Sequence, residues 1–478
     1  MVDKNENITL CVDLDYTLIS TDILIEQIVT LIKESPVYFF QIFVWYLFFG
    51  KSYLKRKLFE KVNLNVELLP YRQEVISFIK NERLKGRKVI LVTATLQELA
   101  EKINNHLNLF DEVWGSNESF NLKGKKKANF ISEQLGIKGF DYIGDSWCDF
   151  PIWKIAHKCF SVTNSKTVLF RLKNLPSFCM NFEERTTSFI DFLKLIRVHQ
   201  WLKNFLIFIP PLLAHKFGHP STWLSVSLAF LSFSLLSSSL YIINDILDIK
   251  SDRSHPEKAN RPIASGKISA YTGLFISLIS LVFSFIIGIN INTAFVGVLI
   301  LYIIFNLLYS LYLKQLPLID IFTLSILYVI RLYGGGVTAG VSISNWLLAF
   351  SLFFFLSLAA LKRFTELLLI SKSDFQSIGR PYKFESNSII QNIGLNSCFA
   401  SIIIFILYIN SDKVLQLYKS PEFLWVDAFL LLLWNLNLWF LASKGKAEYD
   451  PILTSIKNPI SFILIFLIIT LWIMATIL

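Results

Sequence analysis

Charged side chains are scarce in this sequence of 478 residues: Asp, Glu, Lys and Arg make up 17% of it, whereas soluble domains carry ~25%. Apolar residues account for 53%. The shortage of charge lies after about residue 200, where long apolar runs alternate with short polar breaks, while residues 1–190 have an ordinary charge density. A single soluble domain is therefore excluded, and much of the second part is expected to lie in lipid.

Cysteine is also sparse, with five residues, an odd number, and no spacing typical of a metal site or a disulfide framework. We expect free thiols in a reducing compartment. A secretory signal is not visible, because the polar start leads directly into an apolar strand, so the N-terminal domain is expected to stay in the cytoplasm. The net charge of +10 is interpreted first as a topology signal, and no nucleic acid partner is expected.

The first part of the chain alternates strand and helix patterns. Apolar runs at 8–14, 88–93 and 140–144 predict buried strands, and helical patterns fall between them at about 71–85, 96–107 and 125–135. This order predicts a Rossmann-like α/β domain with a parallel sheet and helices on both faces. Ligands of such sheets bind at the carboxyl ends of the strands.

An insertion at about 20–70 separates the first two strands and is expected to form a cap. It contains the apolar run 37–49, whose 13 residues are too few to cross a bilayer of ~30 Å as a helix. Two interpretations stay open at this stage. The run is either a buried cap helix or part of a cap that rests on the membrane surface.

Polar residues stand at the end of each predicted strand. Asp13 and Asp15 follow the first strand, Thr93 ends the second, and Asp145 and Asp149 follow the third. Lys127 opens a predicted helix, with Lys125 and Lys126 as close rivals. A phosphate monoester is dianionic and repels a carboxylate nucleophile, so a metal ion and a lysine are needed to neutralise it before attack.

In this order the motifs resemble those of the haloacid dehalogenase superfamily of phosphatases over about residues 8–165. The resemblance implies that Asp13 is the nucleophile and Asp15 the general acid and base. Thr93 and Lys127 would hold phosphate oxygens, and Mg²⁺ would be bound by Asp13, Asp15, Asp145 and Asp149. The expected domains are thus a phosphatase-like domain at 1–165, a linker at 166–190 and a membrane domain at 191–478.

Nine apolar segments follow the linker and predict an all-α bundle of about nine transmembrane helices. Their ranges are 201–217, 222–246, 270–290, 292–313, 317–340, 344–366, 389–409, 424–442 and 459–477. With a cytoplasmic N-terminus, 17 Lys and Arg residues fall on the inner side and 3 on the outer side. This imbalance obeys the positive-inside rule and predicts a multi-pass protein of the inner (cytoplasmic) membrane, with both active sites inside and the C-terminus outside.

Acidic residues close the second apolar segment. Asn244, Asp248 and Asp252 are four residues apart, which predicts one helix face, and Asp245 lies beside them. Acids here are costly without a counter-charge, which a divalent cation and a diphosphate would supply. The cations that follow at once, Lys258 and Arg261, suit phosphate oxygens.

This motif resembles the first aspartate-rich motif of the UbiA-type intramembrane prenyltransferase superfamily, over about residues 190–478. Members that prenylate aromatic acceptors carry a second Asp-x-x-x-Asp motif after the sixth helix. Here that loop has Lys362, Arg363 and Glu366 and a single aspartate, Asp374.

Further motifs look like those of polyprenyl-phosphate phosphoribosyltransferases of the decaprenyl type. They contribute Gln200, Lys203, Asn244, Asp245, Arg261, Lys314, Asp320, Arg331, Lys362, Arg363 and Glu366. Asp320 and Arg331 are about three helical turns apart, which predicts a shared face inside a membrane helix.

The resemblance implies a two-step function. Mg²⁺ on Asn244, Asp248 and Asp252 would hold phosphoribosyl diphosphate, whose 5-phosphoribose is transferred to a polyprenyl phosphate lipid. The fused phosphatase would then remove the 5-phosphate. The alternative is a UbiA-type enzyme that moves a polyprenyl group from its diphosphate to an aromatic acceptor such as 4-hydroxybenzoate. The oligomeric state is not predicted.

Overall fold

The computed structural model describes residues 8–117, 120–182, 187–255, 258–371, 382, 386–448 and 450–478. The chain divides into two compact units. The first unit comprises residues 1–197 and 241–278, and the second comprises 198–240 and 279–478. The first unit therefore holds the predicted phosphatase domain together with the segment that carries the acidic motif.

A six-stranded parallel sheet forms the centre of the first unit, with strand order β3-β2-β1-β4-β5-β6. The strands are β1 (Thr9–Val12), β2 (Val89–Leu96), β3 (Glu112–Ser116), β4 (Phe140–Gly144), β5 (Cys159–Val162) and β6 (Phe178–Phe182). Leu10 and Val12 pack in one apolar core, whereas Cys11 between them packs in another, so both faces of the sheet are covered. The Rossmann-like prediction is confirmed.

Helices connect these strands and continue into the acidic segment. They are α1 (Ile23–Glu34), α2 (Tyr38–Lys61), α3 (Gln73–Leu84), α4 (Gln97–Leu107), α5 (Lys125–Leu135), α6 (Phe150–Trp153), α7 (Lys166–Lys173), α8 (Phe189–Leu195), α9 (Ile209–Leu213), α10 (Pro220–Leu247) and α11 (Ile249–Arg253). The insertion between β1 and β2 thus begins with two helices, α1 and α2, as expected for a cap.

The linker prediction for 166–190 differs from the structure. Residues 166–173 form α7, and β6 pairs in parallel with β5 as the outermost strand of the sheet. The physical reason is that β6 is only five residues long and lies within a polar stretch, and four of its five side chains are exposed or half-buried. The α/β domain therefore extends at least to Phe182, beyond the predicted boundary at residue 165.

The apolar run of the cap is exposed, so the interpretation as a buried helix was wrong. Helix α2 has a break at Gly50, whose φ is +79°, and this divides it into an aromatic half and a basic half. In the aromatic half, Phe40 is 74% and Phe48 is 76% exposed. Only Leu54 and Leu58, both in the basic half, are buried in α2.

The second unit consists mainly of long apolar helices. The remaining helices of the chain are α12 (Ala270–Ile291), α13 (Thr293–Leu311), α14 (Ile319–Ala339), α15 (Asn345–Ser371), α16 (Asn387–Ile409), α17 (Asp412–Leu417), α18 (Glu422–Ser443), α19 (Pro451–Lys457) and α20 (Pro459–Ile477). Within the described ranges, eight helices are long and apolar enough to cross a membrane: α10, α12, α13, α14, α15, α16, α18 and α20. The prediction of a polytopic helical bundle is confirmed.

The first of the nine predicted segments, 201–217, is not a continuous α-helix. Residues Val198–Phe208 form a 3₁₀ helix, and the short α9 begins directly after it with Pro210 and Pro211 in its first turn. Rises of about 2.0 and 1.5 Å per residue give these two elements a combined length of about 30 Å, near the hydrocarbon thickness. The ninth crossing and the orientation in the membrane stay predictions.

Close packing of this 3₁₀ helix against α14 gives a first test of the bundle. A Cβ atom on Gly335 would lie 2.1 Å from the carbonyl oxygen of Ile207, so backbone would have to move. We expect Gly335→Ala to lower the free energy of unfolding by about 1–3 kcal/mol. Gly297→Ala on α13 is the matched control, since its Cβ meets no atom within 4 Å. Thermal unfolding in detergent measures both, and equal stability of the two variants would contradict this packing.

Candidate active sites

Three carboxylates meet at the carboxyl ends of neighbouring strands in the first unit. Asp13 follows β1, and Asp145 and Asp149 follow β4; one oxygen of each lies within 4.8 Å of the others. Among the described residues, no other three His, Cys, Asp or Glu side chains bring their ligand atoms this close together. Oxygen ligands at such spacing fit Mg²⁺, and the three aspartates would hold it. They line a cavity of about 330 Å³.

Lys127 is the lysine that the fold brings to this cluster. It is buried in the first turn of α5, and its Nζ lies 2.9 Å from Oδ1 of Asp13 and donates to the Tyr142 hydroxyl at 2.8 Å. Tyr142 in turn donates to Asp149 at 2.8 Å. Lys125 and Lys126 are exposed, so the structure separates Lys127 from its two rivals.

Burial alters the acidity of the carboxylates in this cavity. It raises the pKa of Asp13, although Lys127 acts in the opposite direction. Burial and the neighbouring charge of Asp22 raise the pKa of Asp15 to about 7. A carboxyl group with a pKa near neutrality can both donate and accept a proton, which is what a general acid and base requires. Asp15 also accepts a hydrogen bond from the Ile23 amide at 2.9 Å.

Thr93 does not line the cavity. It is fully buried in β2, and its hydroxyl accepts a hydrogen bond from the Thr95 amide at 3.0 Å. The cavity wall is formed here by Ala94 and Thr95, and the Thr95 hydroxyl lies 3.4 Å from Oδ2 of Asp15. The prediction placed the phosphate contact at Thr93 because β2 was expected to end there, but the strand continues to Leu96.

The acidic motif, also in the first unit, has a kink at Asp248, although the amides of Asp248 and Asp252 still donate to the carbonyl oxygens of Asn244 and Asp248, each at 2.8 Å. Helix α10 ends at Leu247 and α11 starts at Ile249, with Asp248 between them in a non-helical conformation. Asp245 and Asp252 converge on the Arg261 guanidinium, at 3.0 and 2.6 Å, and Asp245 also pairs with Arg197. Burial raises the pKa of Asp252 against the opposing effect of Arg261. No side-chain contact is described for Asn244 or Lys258, whose roles stay predictions.

Helix α1 of the cap contacts this acidic segment directly. Arg253 forms a two-pronged pair with Glu26, at 2.8 and 3.0 Å, and both side chains are buried. Lys33, in the last turn of α1, lies 2.9 Å from Oδ1 of Asp248. Apolar side chains also pack between α1 and the acidic segment, in a cluster of Val29, Leu195, Ile242, Ile249, Ile263 and Ile268. The cap and the acidic segment therefore form one packed body.

The second unit contains its own buried charges, and Arg363 is at their centre. This residue of α15 pairs with Asp320 on α14 and with Glu366 one turn away on its own helix. It donates to the Tyr309 hydroxyl at 2.6 Å. Tyr382 donates to the other oxygen of Asp320. Asp320 and Arg363 are almost completely buried, so the pair is shielded from water.

Arg331 on α14 does not pair with Asp320, although both lie on the same helix. Its guanidinium donates to Oδ1 of Asn204 at 2.8 Å and to the Tyr302 hydroxyl at 2.6 Å. It also donates to the Leu327 carbonyl oxygen at 2.6 Å. The predicted shared face of Asp320 and Arg331 therefore carries two separate interactions.

Lys203 gathers a further set of polar groups in the second unit. Its Nζ lies 2.6 Å from Oδ2 of Asp450 and donates to Oε1 of Gln200 at 2.6 Å. Burial acts to raise the pKa of Asp450, whereas Lys203 and Lys362 lower it. The lowering effects are larger, and the resulting pKa is about 2. Lys362 thus interacts electrostatically with this pair. Lys314 lies in a 3₁₀ turn before α14, and Asp374 lies outside the described residues.

Several residues at these sites were missed by the sequence reasoning. Asp450 follows α18 in a short polar break, and Tyr382 precedes α16, so neither belongs to a recognisable motif. Lys33 and Glu26 lie on the cap, far in sequence from the acidic motif that they contact. A signal was available only for Asn204, which directly follows Lys203, one of the residues that carry the resemblance.

The comparisons with known proteins concern mainly the membrane part of the chain. The UbiA prenyltransferase family model matches residues 205–443. A UbiA homolog from Archaeoglobus fulgidus, bound to DMAPP and Mg²⁺, is 17% identical with a TM-score of 0.47, covering 60% of this chain and all of that one. The decaprenyl-phosphate phosphoribosyltransferase of Mycolicibacterium smegmatis is 35% identical over 185 residues, which are 38% of this chain and 58% of that enzyme.

One relative extends over nearly the whole length. An uncharacterized protein of Sinorhizobium fredii, y4nM, is 32% identical over 475 residues, which are 98% of this chain and 92% of that protein. The alignment with that relative thus spans both the α/β domain and the membrane helices of this chain. The family match covers half of the chain and agrees with the membrane helices found here. This chain belongs to the UbiA prenyltransferase family.

Proposed function

We propose that the membrane part transfers 5-phosphoribose from phosphoribosyl diphosphate to a polyprenyl phosphate lipid. The observation that carries the proposal is a set of cations in the second unit: Lys203, Arg331 and Arg363 are buried and Lys362 is half-buried. Within the part of the chain that the structure describes, they outnumber the neighbouring carboxylates of Asp320, Glu366 and Asp450. Donor and acceptor are both phosphorylated in this reaction, so it needs more positive charge than the transfer of a prenyl group to an aromatic ring.

The similarity to decaprenyl-phosphate phosphoribosyltransferase supports the same substrates, although the chain spans only 58% of that enzyme's length. Asp248 and Asp252 offer oxygen ligands for Mg²⁺, and the cations now paired with them, Lys33 and Arg261, can pass to phosphate oxygens when the metal binds. When bound, Mg²⁺ neutralises the leaving diphosphate.

The proposed transfer requires little acid–base catalysis by the protein. An oxygen of the lipid phosphate attacks the anomeric carbon, the bond to diphosphate breaks, and the electron pair leaves with the diphosphate. Because the nucleophile is already an anion, the role of the cationic side chains is to orient it against the sugar. Gln200, Lys203 and Lys314 are assigned to this positioning.

The α/β domain then acts as a phosphatase on the lipid-linked product. Its Asp13 attacks phosphorus of the 5-phosphate, the bond to the sugar oxygen breaks, and Asp15 protonates that oxygen. Asp15 then takes a proton from a water molecule, which hydrolyses the aspartyl phosphate and releases inorganic phosphate. Lys127 neutralises part of the phosphate charge, and a metal ion held by Asp13, Asp145 and Asp149 would neutralise the rest. The cluster of Asp13, Asp145 and Asp149 with buried Lys127 supports this assignment. Packing of the two activities in one chain keeps the product at a high local concentration.

A double-label experiment tests the transferase. Purified protein in nanodiscs receives polyprenyl phosphate and phosphoribosyl diphosphate carrying ¹⁴C in the ribose and ³²P in the 5-phosphate. We expect ¹⁴C in the lipid fraction with Mg²⁺ present, and ³²P released as inorganic phosphate afterwards. Asp248→Asn should reduce ¹⁴C incorporation at least about tenfold, since it removes a charged contact to the metal. Absence of ¹⁴C from the lipid would refute the transferase proposal.

The alternative is transfer of a polyprenyl group from its diphosphate to an aromatic acceptor. The same nanodiscs supplied with ³H-labelled polyprenyl diphosphate and 4-hydroxybenzoate test it. Formation of a ³H-labelled aromatic product, with no ribose incorporation in the first experiment, would favour this alternative.

A further inference from the structure

Three lysines line the phosphatase cavity in addition to Lys127. Lys51 and Lys55 come from the basic half of α2, one helical turn apart, and Lys123 comes from the loop before α5. Lys127 and a metal ion held by the three aspartates would be sufficient to neutralise the charge of the reacting phosphate. The three lysines therefore supply positive charge that hydrolysis of a single phosphate does not need.

The same three lysines lie near enough to influence one another. Lys55 donates to the Ala94 carbonyl oxygen at 2.5 Å and to Oδ1 of Asn121 at 3.2 Å, which holds it in the cavity wall. Burial and the repulsion of Lys51 and Lys123 lower the pKa of Lys55 to about 8. Like charges gathered in a concave site disfavour the unbound state, and an anionic ligand relieves that repulsion.

The other half of α2 leads from the cavity to the membrane. Its exposed aromatic side chains lie between Phe39 and Phe49, and Lys51 follows after Gly50. Tyr46 of this half lies near Tyr271, which is in the first turn of α12, one of the candidate membrane spans. Gly266, in the loop before α12, approaches Ser20 beside the cavity, because a Cβ there would lie 2.0 Å from the Ser20 hydroxyl oxygen.

Tyr46 and Tyr271 both belong to the first unit. The aromatic half of α2 therefore lies near the end of a candidate membrane helix. Aromatic residues followed by basic residues are typical of helices that lie in the interface between headgroups and acyl chains. The aromatic side chains are thus suited to the bilayer, and the lysines that follow them are suited to phosphates at its surface.

We propose that Lys51, Lys55 and Lys123 form a second anion subsite, and that the phosphatase therefore acts on a membrane lipid with two phosphate groups. One group is the phosphate monoester that Asp13 attacks. The other is the phosphodiester that joins the sugar to the lipid, and its tail enters the bilayer beside the aromatic half of α2. This inference rests on the proposed phosphatase activity and specifies its class of substrate.

The test measures phosphate release by the full chain in phosphatidylcholine nanodiscs. Three substrates are compared: p-nitrophenyl phosphate, with one phosphate; ribose 1,5-bisphosphate, soluble with two; and polyprenyl-phosphoryl 5-phosphoribose. We expect the double variant Lys51→Gln/Lys123→Gln to lose at least about tenfold in kcat/KM on both substrates with two phosphates, since contacts to charged groups are worth that much. Hydrolysis of p-nitrophenyl phosphate should change less than about twofold.

Two matched controls separate charge from location. Lys57→Gln removes a lysine from the same half of α2, but Lys57 pairs with Glu60 and does not line the cavity, so all three activities should persist. Phe40→Ser/Phe48→Ser should raise KM for the lipid substrate alone. Leu84→Ser, at an exposed apolar residue of α3, should leave it unchanged.

Other outcomes overturn the proposal. An equal loss on p-nitrophenyl phosphate would place the lysines at the reacting phosphate, and no loss on any substrate would mean that the subsite does not exist. A loss seen only when anionic phosphatidylglycerol is added would assign the lysines to membrane headgroups.

Failure of the phosphatase proposal itself is distinguished by binding. Calorimetry on Asp13→Asn protein compares ribose 1,5-bisphosphate with ribose 5-phosphate, without any turnover. If the wild type hydrolyses nothing but the bisphosphate still binds at least about tenfold more tightly, and Lys51→Gln/Lys123→Gln removes that difference, the subsite stands and only the assigned reaction falls. Equal affinities would refute the subsite.

Discussion

Asp13→Asn should abolish phosphate release while the membrane reaction continues. The neutral amide cannot attack phosphorus, and removal of a nucleophile typically costs at least about a thousandfold in turnover. With ¹⁴C- and ³²P-labelled phosphoribosyl diphosphate, the lipid product should keep both labels instead of losing ³²P. Mass spectrometry of the extracted lipid should show one additional phosphate group relative to the wild-type product.

The control for this variant is Asp111→Asn. Asp111 accepts a hydrogen bond from the Val89 amide at 2.8 Å, at the start of β2 and thus at the opposite edge of the sheet from the cavity. Phosphate release should persist in this variant. Loss of ¹⁴C incorporation in Asp13→Asn, or continued phosphate release, would contradict the separate roles assigned to the two parts of the chain.

Arg363→Met should be the most destabilising single change in the second unit. It leaves Asp320 and Glu366 without their guanidinium partner, and Asp320 is fully buried. Removal of one partner from a buried ion pair costs about 3–5 kcal/mol, because the remaining charge has no water to solvate it. Unfolding of the purified protein in mixed detergent, followed by tryptophan fluorescence, measures the loss.

Two further variants show whether the ion pair is the cause. Arg363→Lys keeps a positive charge beside Asp320 and should lose less stability than Arg363→Met. The double variant Asp320→Asn/Arg363→Met removes both charges and should recover part of the loss, since the buried carboxylate is then neutral. A double variant as unstable as the sum of its single changes would show that the two residues act independently.

The sequence predicted the elements better than their contacts. The strands that end at Asp13 and before Asp145 are bounded by apolar runs and acids, so their positions could be read from composition. The strand Phe178–Phe182 could not, because it is short, lies at the edge of the sheet and buries only Phe182. Likewise, the 3₁₀ helix Val198–Phe208 mixes apolar residues with polar ones such as Gln200 and Lys203, and this pattern does not distinguish a 3₁₀ helix from an α-helix.

Side-chain partners depend on tertiary packing that no local pattern records. The spacing of Asn244, Asp248 and Asp252 was predicted, but it gave no indication that Asp245 and Asp252 both pair with the Arg261 guanidinium. The triple lysine run before Ala128 gave no means of choosing among its members, whereas burial of one of them in the first turn of α5 decides it. The sequence thus predicted which charged residues belong to the sites, but it did not predict which of them form ion pairs.

Because α1 packs against the acidic segment, the compact unit that contains the α/β domain also includes a segment from the membrane part of the sequence. A fragment ending at residue 190 would retain Glu26 without Arg253 and would leave Val29 without the isoleucines that cover it. The remaining membrane fragment would lose Lys33 from Asp248. A genetic cut at the apparent junction therefore damages both products, and the smallest autonomous folding unit includes part of each activity.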